Sequence, residues 1–160
     1  MKIALVQQHA THDKAANMQR GLAAIDRAAA TGAQVICFAE LAFEWFHPQR
    51  PADSNVRSLS ETLDGPLVQA FQAKARERGV VIVLNFFERD GLETYDCSPV
   101  IDANGIVLGM TRMVHITDYA CFHEQGYYTP GDTGAPVYET KFGKIGVAIC
   151  YDRHFPEYMR

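Results

Sequence analysis

The sequence predicts an α/β domain in which short strands alternate with amphipathic helices. Three apolar runs, at residues 2–7, 35–39 and 80–87, are rich in valine and isoleucine and have the composition of buried strands. Two segments between these runs carry apolar residues every three or four positions, as on one face of a helix. No repeat or linker divides the 160 residues, so we expect one domain over 1–160.

The first strand and helix are marked by their boundaries. After the strand at 2–7, a helix over 14–30 begins behind Asp13, whose carboxylate suits an N-cap, and ends before Gly32. The apolar stripe of this helix is formed by Met18, Leu22, Ile25 and Ala29. The stripe predicts which helix face packs on the sheet.

The strand at 35–39 ends directly in Glu40, which places a carboxylate at the end of a sheet. A loop rich in proline, aspartate and serine follows. The second helix runs over 66–78, with Pro66 at a first-turn position and Gly79 after its last residue. Its inward face is formed by Leu67, Ala70, Phe71 and Ala75.

The remaining elements are predicted as strands joined by tight turns. Strands are expected at 80–87, 95–101 and 106–114, separated by Asp-Gly and Asn-Gly turns, followed by a hairpin of 137–140 with 145–149.

Cys150 stands at a predicted strand-to-helix corner. An alternating apolar run ends at Ile149, and the charged and aromatic residues 151–160 suit a helix start with Asp152 in its first turn. Such a corner exposes a thiol, and a helix N-terminus favours its thiolate form. The alternative interpretation is a buried core cysteine, which is common in proteins.

Three motifs in order give the chain a resemblance to a known family. They are FAEL with Glu40, the segment TRMVHI to FHEQGYYTPGD with His115 and Glu124, and GVAICYDRHFPE with Cys150. Together they resemble the nitrilase superfamily of carbon–nitrogen hydrolases. The resemblance implies an α/β fold of the nitrilase type, an α-β-β-α sandwich. It also implies that this chain supplies about the first half of that domain and is truncated at the C-terminus.

The resemblance also implies a role for each motif residue. Cys150 would be the nucleophile that forms a thioester, Glu40 the base, and Glu124 a residue that orients the substrate or Glu40. The backbone N–H of Tyr151 would donate to the oxyanion. An amide carbonyl is a poor electrophile, so its hydrolysis needs an activated nucleophile, oxyanion donors and a proton for the leaving amine.

Met113 departs from the family pattern. The family usually has its catalytic lysine at this position of TRMVHI, and a thioether carries neither charge nor a hydrogen-bond donor. Arg112 cannot simply replace it, because neighbouring side chains of a strand point to opposite faces. His115 shares the face of Met113 and could supply a donor.

The CYDRHFPE segment looks most like the branch of the family that acts on N-carbamoyl compounds, including β-ureidopropionases. Arg153 could bind a substrate carboxylate, or it could pair with Glu157 on the following helix. The resemblance therefore implies a small-molecule amide or N-carbamoyl substrate, and a homo-oligomer in the full-length form. A non-catalytic remnant that binds a small molecule or a protein is the alternative.

Composition excludes several other function classes. The formal charge of −4 and the lack of a basic patch argue against nucleic acid and anionic membranes as partners. Four widely spaced cysteines suggest reduced thiols and a cytoplasmic setting. The segment HEQGY lacks the second histidine of a helical zinc motif, and no phosphate- or dinucleotide-binding glycine motif is present. We therefore expect no metal and no cofactor.

Overall fold

The computed structural model describes all 160 residues and confirms the α/β class. The eight strands are β1 (Ile3–Val6), β2 (Val35–Phe38), β3 (Val81–Val83), β4 (Phe86–Asp90), β5 (Glu93–Ile101), β6 (Val107–Arg112), β7 (Val137–Thr140) and β8 (Gly143–Gly146). The four α-helices are α1 (Lys14–Ala30), α2 (Val56–Leu59), α3 (Pro66–Arg78) and α4 (Pro156–Met159). Single 3-10 turns lie at His47–Gln49, Glu124–Gly126 and Cys150–His154.

A six-stranded sheet forms the centre of the molecule. Strands β1, β2 and β3 are parallel, and β5 pairs antiparallel with both β3 and β4 on one side and with β6 on the other. The pairs Val83 with Val100 and Phe86 with Cys97 follow one register, so β3 and β4 are two parts of an interrupted strand. The sequence predicted one uninterrupted strand at 80–87.

Asn85 accounts for the interruption. Its side-chain oxygen accepts a hydrogen bond from the backbone N–H of Leu41 at 2.7 Å, and its amide nitrogen donates to Ser98 Oγ at 3.0 Å. The residue is buried, so these bonds satisfy a polar group that would otherwise be costly inside the sheet. The break therefore ties the sheet to the turn that carries Glu40.

Helices α1 and α3 cover one face of the sheet. The core between them contains side chains with no solvent exposure, namely Ile25, Ile36, Phe43, Leu67, Phe71 and Ile82. The predicted N-cap is confirmed, because Asp13 Oδ1 accepts from the N–H of Ala16 at 2.9 Å. The predicted end of α3 is also confirmed, with Gly79 in the left-handed conformation at φ 63°.

The β7–β8 hairpin packs against the opposite face. Tyr138 lies in a cluster with the sheet residues Val81 and Val100, and its hydroxyl is 3.0 Å from Thr111 Oγ1. Strand β8 ends at Gly146, whereas the sequence predicted pairing as far as 149. Ile149 instead packs against Met113, so the chain leaves the hairpin before it reaches Cys150.

The helix start expected within residues 151–160 is divided into two short elements. The 3-10 turn Cys150–His154 is separated from α4 by Phe155, whose φ of −105° and ψ of 105° are extended. Pro156 explains this, since a proline disfavours the helical conformation in the residue before it. None of the helices combines the length and the apolarity required to span a membrane.

Two apolar side chains of the edge strand β1 lie in solvent on the hairpin side of the sheet. Ile3 is 54 % exposed and Leu5 is 80 % exposed, and their register partners are Val35 and Cys37. An open strand edge beside an apolar surface favours association between chains.

We therefore expect this chain to associate or to bind a hydrophobic dye. The variant Leu5→Lys should lower dye fluorescence and association severalfold without loss of helicity, because the side chain is exposed. Leu92→Lys is the matched control, since Leu92 is 86 % exposed in a turn away from this strand. Sedimentation of the unmodified chain as a monodisperse monomer without dye binding would contradict the prediction.

Candidate active site

Three side chains predicted from separate motifs meet in the structure. Ligand atoms of Glu40, Glu124 and Cys150 all lie within 4.8 Å of one another. They come from the segment after β2, from the 3-10 turn Glu124–Gly126 and from the 3-10 turn Cys150–His154. The fold therefore brings two carboxyl groups and a thiol together across 110 positions of sequence, from residue 40 to residue 150.

Glu40 is held at the start of a strained turn. Leu41, which follows it, has φ 45°, a conformation that residues with a β-carbon rarely adopt. The bond from Leu41 N–H to Asn85 secures this turn to the sheet. Glu40 Oε1 is buried and has no hydrogen-bond partner. The strain and the orphaned oxygen distinguish Glu40 from an ordinary surface carboxylate.

Glu124 is fully buried and is fixed through one of its oxygens. Its Oε2 accepts hydrogen bonds from Thr117 Oγ1 at 2.7 Å and from the Thr117 N–H at 3.1 Å. Its Oε1 has no partner. Burial raises the pKa of Glu124, with a further contribution from the charge of Glu40, while the bonds from Thr117 oppose that rise.

Cys150 occupies the second strained corner of the site. Its φ is 45°, and its carbonyl accepts a hydrogen bond from Arg153 Nη1 at 2.7 Å. The following Asp152 is fully buried, and its Oδ1 accepts from the N–H of His115 at 2.9 Å. These contacts fix the corner to the segment that follows β6.

The expectation that this corner favours the thiolate is wrong. Burial raises the pKa of Cys150 to about 12, reinforced by the charges of Glu40, Glu124 and Asp96. The corner leads into one 3-10 turn rather than a long helix, so little helix dipole opposes these carboxylates. Cys150 is therefore a thiol at neutral pH.

The three predicted substrate-binding residues lie around the corner. His115 Nδ1 is 2.6 Å from Asp152 Oδ1, and its ring stacks on Phe155 with centroids 3.6 Å apart. Arg153 is exposed and forms no ion pair with Glu157, so the alternative pairing is not present. Tyr151 is 37 % exposed. His115 is thus engaged by Asp152 and Phe155 rather than free to replace a lysine.

Met113 lies beside the carboxyl groups. Its backbone N–H donates to the carbonyl of Asp96 at 2.9 Å, which extends by one residue the register that pairs Cys97 with Arg112. Met113 and Asp96 are therefore cross-strand neighbours on one face of the sheet. The Met113 side chain is fully buried in an apolar cluster against which Cys150 packs.

Arg112 points to the other face, as the strand period predicts. It donates to Glu88 at 2.7 and 2.9 Å, reaches Asp90 at 2.8 Å and Asp132 at 3.1 Å, and lies over the ring of Tyr95. The carboxylates raise its pKa further, led by Glu88. The charge of Arg112 is therefore paired with carboxylates on the face of the sheet opposite Met113.

Sequence reasoning missed Asp96 and Tyr128. Asp96 is buried, and burial together with the charge of Glu40 raises its pKa well above the usual range, although a bond from Asn85 opposes this. The Tyr128 hydroxyl is buried without a partner. The sequence does contain a signal for this buried polar cluster. Asn85 and Asp96 are polar residues inside apolar strand sequences.

The carboxyl groups of the site have no basic side chain as a partner. Glu40, Asp96 and Glu124 form no ion pair, and each has a buried oxygen without a partner. Glu40 lines a cavity of about 330 Å³ together with Gln8 and Trp45. Cys150 and Glu124 do not line that cavity.

Comparison with known proteins places this arrangement in a family. Residues 2–160 match the carbon-nitrogen hydrolase family model. The chain is 35% identical over 161 residues to a citrullinase of Francisella tularensis, covering 100% of this chain and 56% of the relative. It is 35% identical over 158 residues to an N-carbamoylputrescine amidase of Arabidopsis thaliana, covering 99% of this chain and 53% of the relative. The chain thus spans about half the length of these relatives.

A solved structure agrees in fold over nearly the whole chain. It is a glutamate-to-glutamine variant of the amidase from Nesterenkonia sp. AN1, in which the acetamide moiety of fluoroacetamide is attached covalently at the active-site cysteine. The two chains are 25% identical with a TM-score of 0.81, over 99% of this chain and 58% of the other. By sequence and by fold, the chain belongs to the carbon–nitrogen hydrolase family, part of the nitrilase superfamily.

Proposed function

We propose that this chain carries the reacting groups of an amidohydrolase that cleaves amide or N-carbamoyl carbon–nitrogen bonds through a cysteine thioester. The observation that carries the proposal is the approach of Glu40, Glu124 and Cys150 to within 4.8 Å. The covalent adduct on the cysteine of the Nesterenkonia amidase supports the role of Cys150. The relatives that act on citrulline and N-carbamoylputrescine, judged by their names, support an N-carbamoyl substrate.

Acylation begins from the protonated thiol. Because the pKa of Cys150 is about 12, Glu40 takes the thiol proton as Sγ attacks the substrate carbonyl, rather than before substrate binds. The C–S bond forms and the carbonyl electrons move to the oxygen, toward the N–H of Tyr151. Collapse of this intermediate breaks the C–N bond, and the proton held by Glu40 leaves with the amine or ammonia.

Deacylation reverses the proton path. Glu40, again a carboxylate, removes a proton from water as the water attacks the thioester, and the proton returns to Sγ. Glu124 is held by Thr117 and presents its free oxygen to Glu40 or to the substrate nitrogen. Arg153 is exposed and keeps donors beyond the one used by Cys150, so it is our candidate for a substrate carboxylate.

Met113 limits this chemistry. The position faces Asp96 and adjoins Cys150, where a cation would neutralise the carboxylates and bind the oxyanion. Loss of one oxyanion donor costs about 10²–10³-fold in turnover. This same feature favours the second candidate function, a non-catalytic nitrilase-like module that binds a small molecule or a protein. The homo-oligomer implied by the resemblance belongs to the full-length form under either proposal.

The first prediction concerns Met113 in the full-length protein. Met113→Lys should raise ammonia release from an N-carbamoyl substrate about 10²-fold or more, because it supplies the missing donor beside Cys150. Met113→Leu is the matched control and should leave turnover unchanged. Activity that survives Cys150→Ser in the Met113→Lys background, or no activity in that background at all, would contradict the amidohydrolase.

The second prediction concerns the thiols. Iodoacetamide at pH 7 should modify the exposed Cys121 first and Cys150 slowly, since alkylation requires the thiolate and Cys150 has a pKa of about 12. Raising the pH to 10 should accelerate Cys150 about tenfold for each pH unit. Met113→Lys should accelerate Cys150 at pH 7, because an ammonium group favours the thiolate. Peptide mass mapping that finds Cys150 the fastest at pH 7 in the unmodified chain would contradict this.

The third prediction concerns pH and folding. Folding raises the pKa of Asp96 above its ordinary 3.8, so the native state holds a proton that the unfolded state loses, and stability falls as pH rises from about 4 toward the native pKa. Asp96→Asn removes this effect. Its stability relative to the unmodified chain, measured by urea unfolding, should increase from pH 4 to pH 8. Asp64→Asn, on the surface, should show no such trend.

A further inference from the structure

We propose that Cys150, Glu40 and Glu124 form a binding site for a divalent transition-metal ion such as Zn²⁺, at which the ion replaces the absent cationic side chain. This goes beyond the proposed hydrolysis, because an ion bound to Sγ would occupy the nucleophile. It also departs from the expectation of no metal, which considered histidine-based motifs.

The geometry of the three ligands suits such an ion. Zinc binds sulfur at about 2.3 Å and carboxylate oxygen at about 2.0–2.2 Å, so tetrahedral ligands lie roughly 3.3–3.8 Å apart. The three ligand atoms already lie within 4.8 Å of one another, and they would move closer together around a bound ion. Thiolate with carboxylate is a donor set that selects zinc over magnesium or calcium, which prefer oxygen alone.

A second observation points to a missing cation. The Tyr128 hydroxyl is buried and has no hydrogen-bond partner, and Tyr128 lies in the same cluster as Met113, against which Cys150 packs. Buried polar groups in native proteins are nearly always satisfied. A bound ion with a water ligand would provide a partner for this hydroxyl and would neutralise the orphaned oxygens of Asp96 and Glu124.

No side chain of the protein supplies that charge. Met113 is apolar, and Arg112 is bound to Glu88 on the other face of the sheet. Lys14 pairs with Glu44 and Glu61 rather than with the three carboxyl groups. The acidic cluster therefore remains open to an external cation.

Binding must release a proton. Zinc binds the thiolate form of cysteine, so the sulfur–metal bond forms as the S–H proton leaves to solvent. No oxidant or reductant takes part. The metal would therefore act as a reversible inhibitor of the proposed hydrolase, and a chelator would relieve it.

The test is titration of the full chain with Zn²⁺ by calorimetry in two buffers of different ionisation enthalpy. We expect one ion per chain and release of at least one proton. Cobalt(II) should give a sulfur-to-metal charge-transfer absorption in the near ultraviolet. Cys150→Ser and Met113→Lys should each weaken zinc binding by at least tenfold, the first by removing a ligand and the second by supplying an internal cation.

Cys121→Ser is the matched control and should bind zinc unchanged, because Cys121 is exposed and outside the site. Glu124→Gln is a second test if Cys150→Ser fails to fold, as judged by circular dichroism. Absence of binding to the unmodified chain, binding that survives Cys150→Ser, or binding lost in Cys121→Ser would overturn the proposal. The test measures zinc binding and absorption, and it does not measure hydrolysis. A negative result would therefore overturn the zinc site without contradicting the proposed hydrolase activity.

Discussion

The burial of several carboxyl groups without a compensating cation governs the chemistry of this site. Glu40, Asp96 and Glu124 each keep an oxygen without a partner, and the pKa values of Asp96 and Glu124 are raised by burial and by Glu40. Burial and the same carboxyl groups raise the pKa of Cys150. Like charges withdrawn from water must be neutralised by protons or by a cation. A thiol nucleophile among buried carboxylates depends on proton transfer to one of them. Its reactivity is therefore set by the group that neutralises the charge of the carboxylates.

Two buried polar side chains hold the strained corners of the site in place. Asn85 interrupts the sheet and binds the turn at Leu41, so Glu40 is fixed relative to Asp96. Asp152 accepts from His115 and fixes the corner at Cys150. Each side chain joins segments far apart in sequence. The geometry of the candidate site consequently depends on the assembled sheet rather than on any local motif.

Local features could be predicted from the sequence, whereas features that depend on distant residues could not. The cap at Asp13 and the end of α3 at Gly79 follow from adjacent residues and are confirmed. The strand break at Asn85 depends on a partner 44 positions away. The high pKa of Cys150 likewise depends on burial and on Glu40, both of which arise only through the fold. The order of the motifs could predict which side chains meet, but it could not predict the electrostatic environment that these side chains create for one another.

The contrast between Arg112 and Met113 shows how strand geometry decides the character of the site. The two residues are adjacent, yet one is surrounded by carboxylates on the helix-covered face and the other lies in an apolar cluster beside Cys150. Moving the arginine into the site would require a one-residue slip of β6, which would turn every side chain of that strand to the opposite face. Such a slip would also break the ion pair with Glu88 and bury an unpaired carboxylate. A cation can therefore reach this cluster only through a change at position 113 itself or from solution.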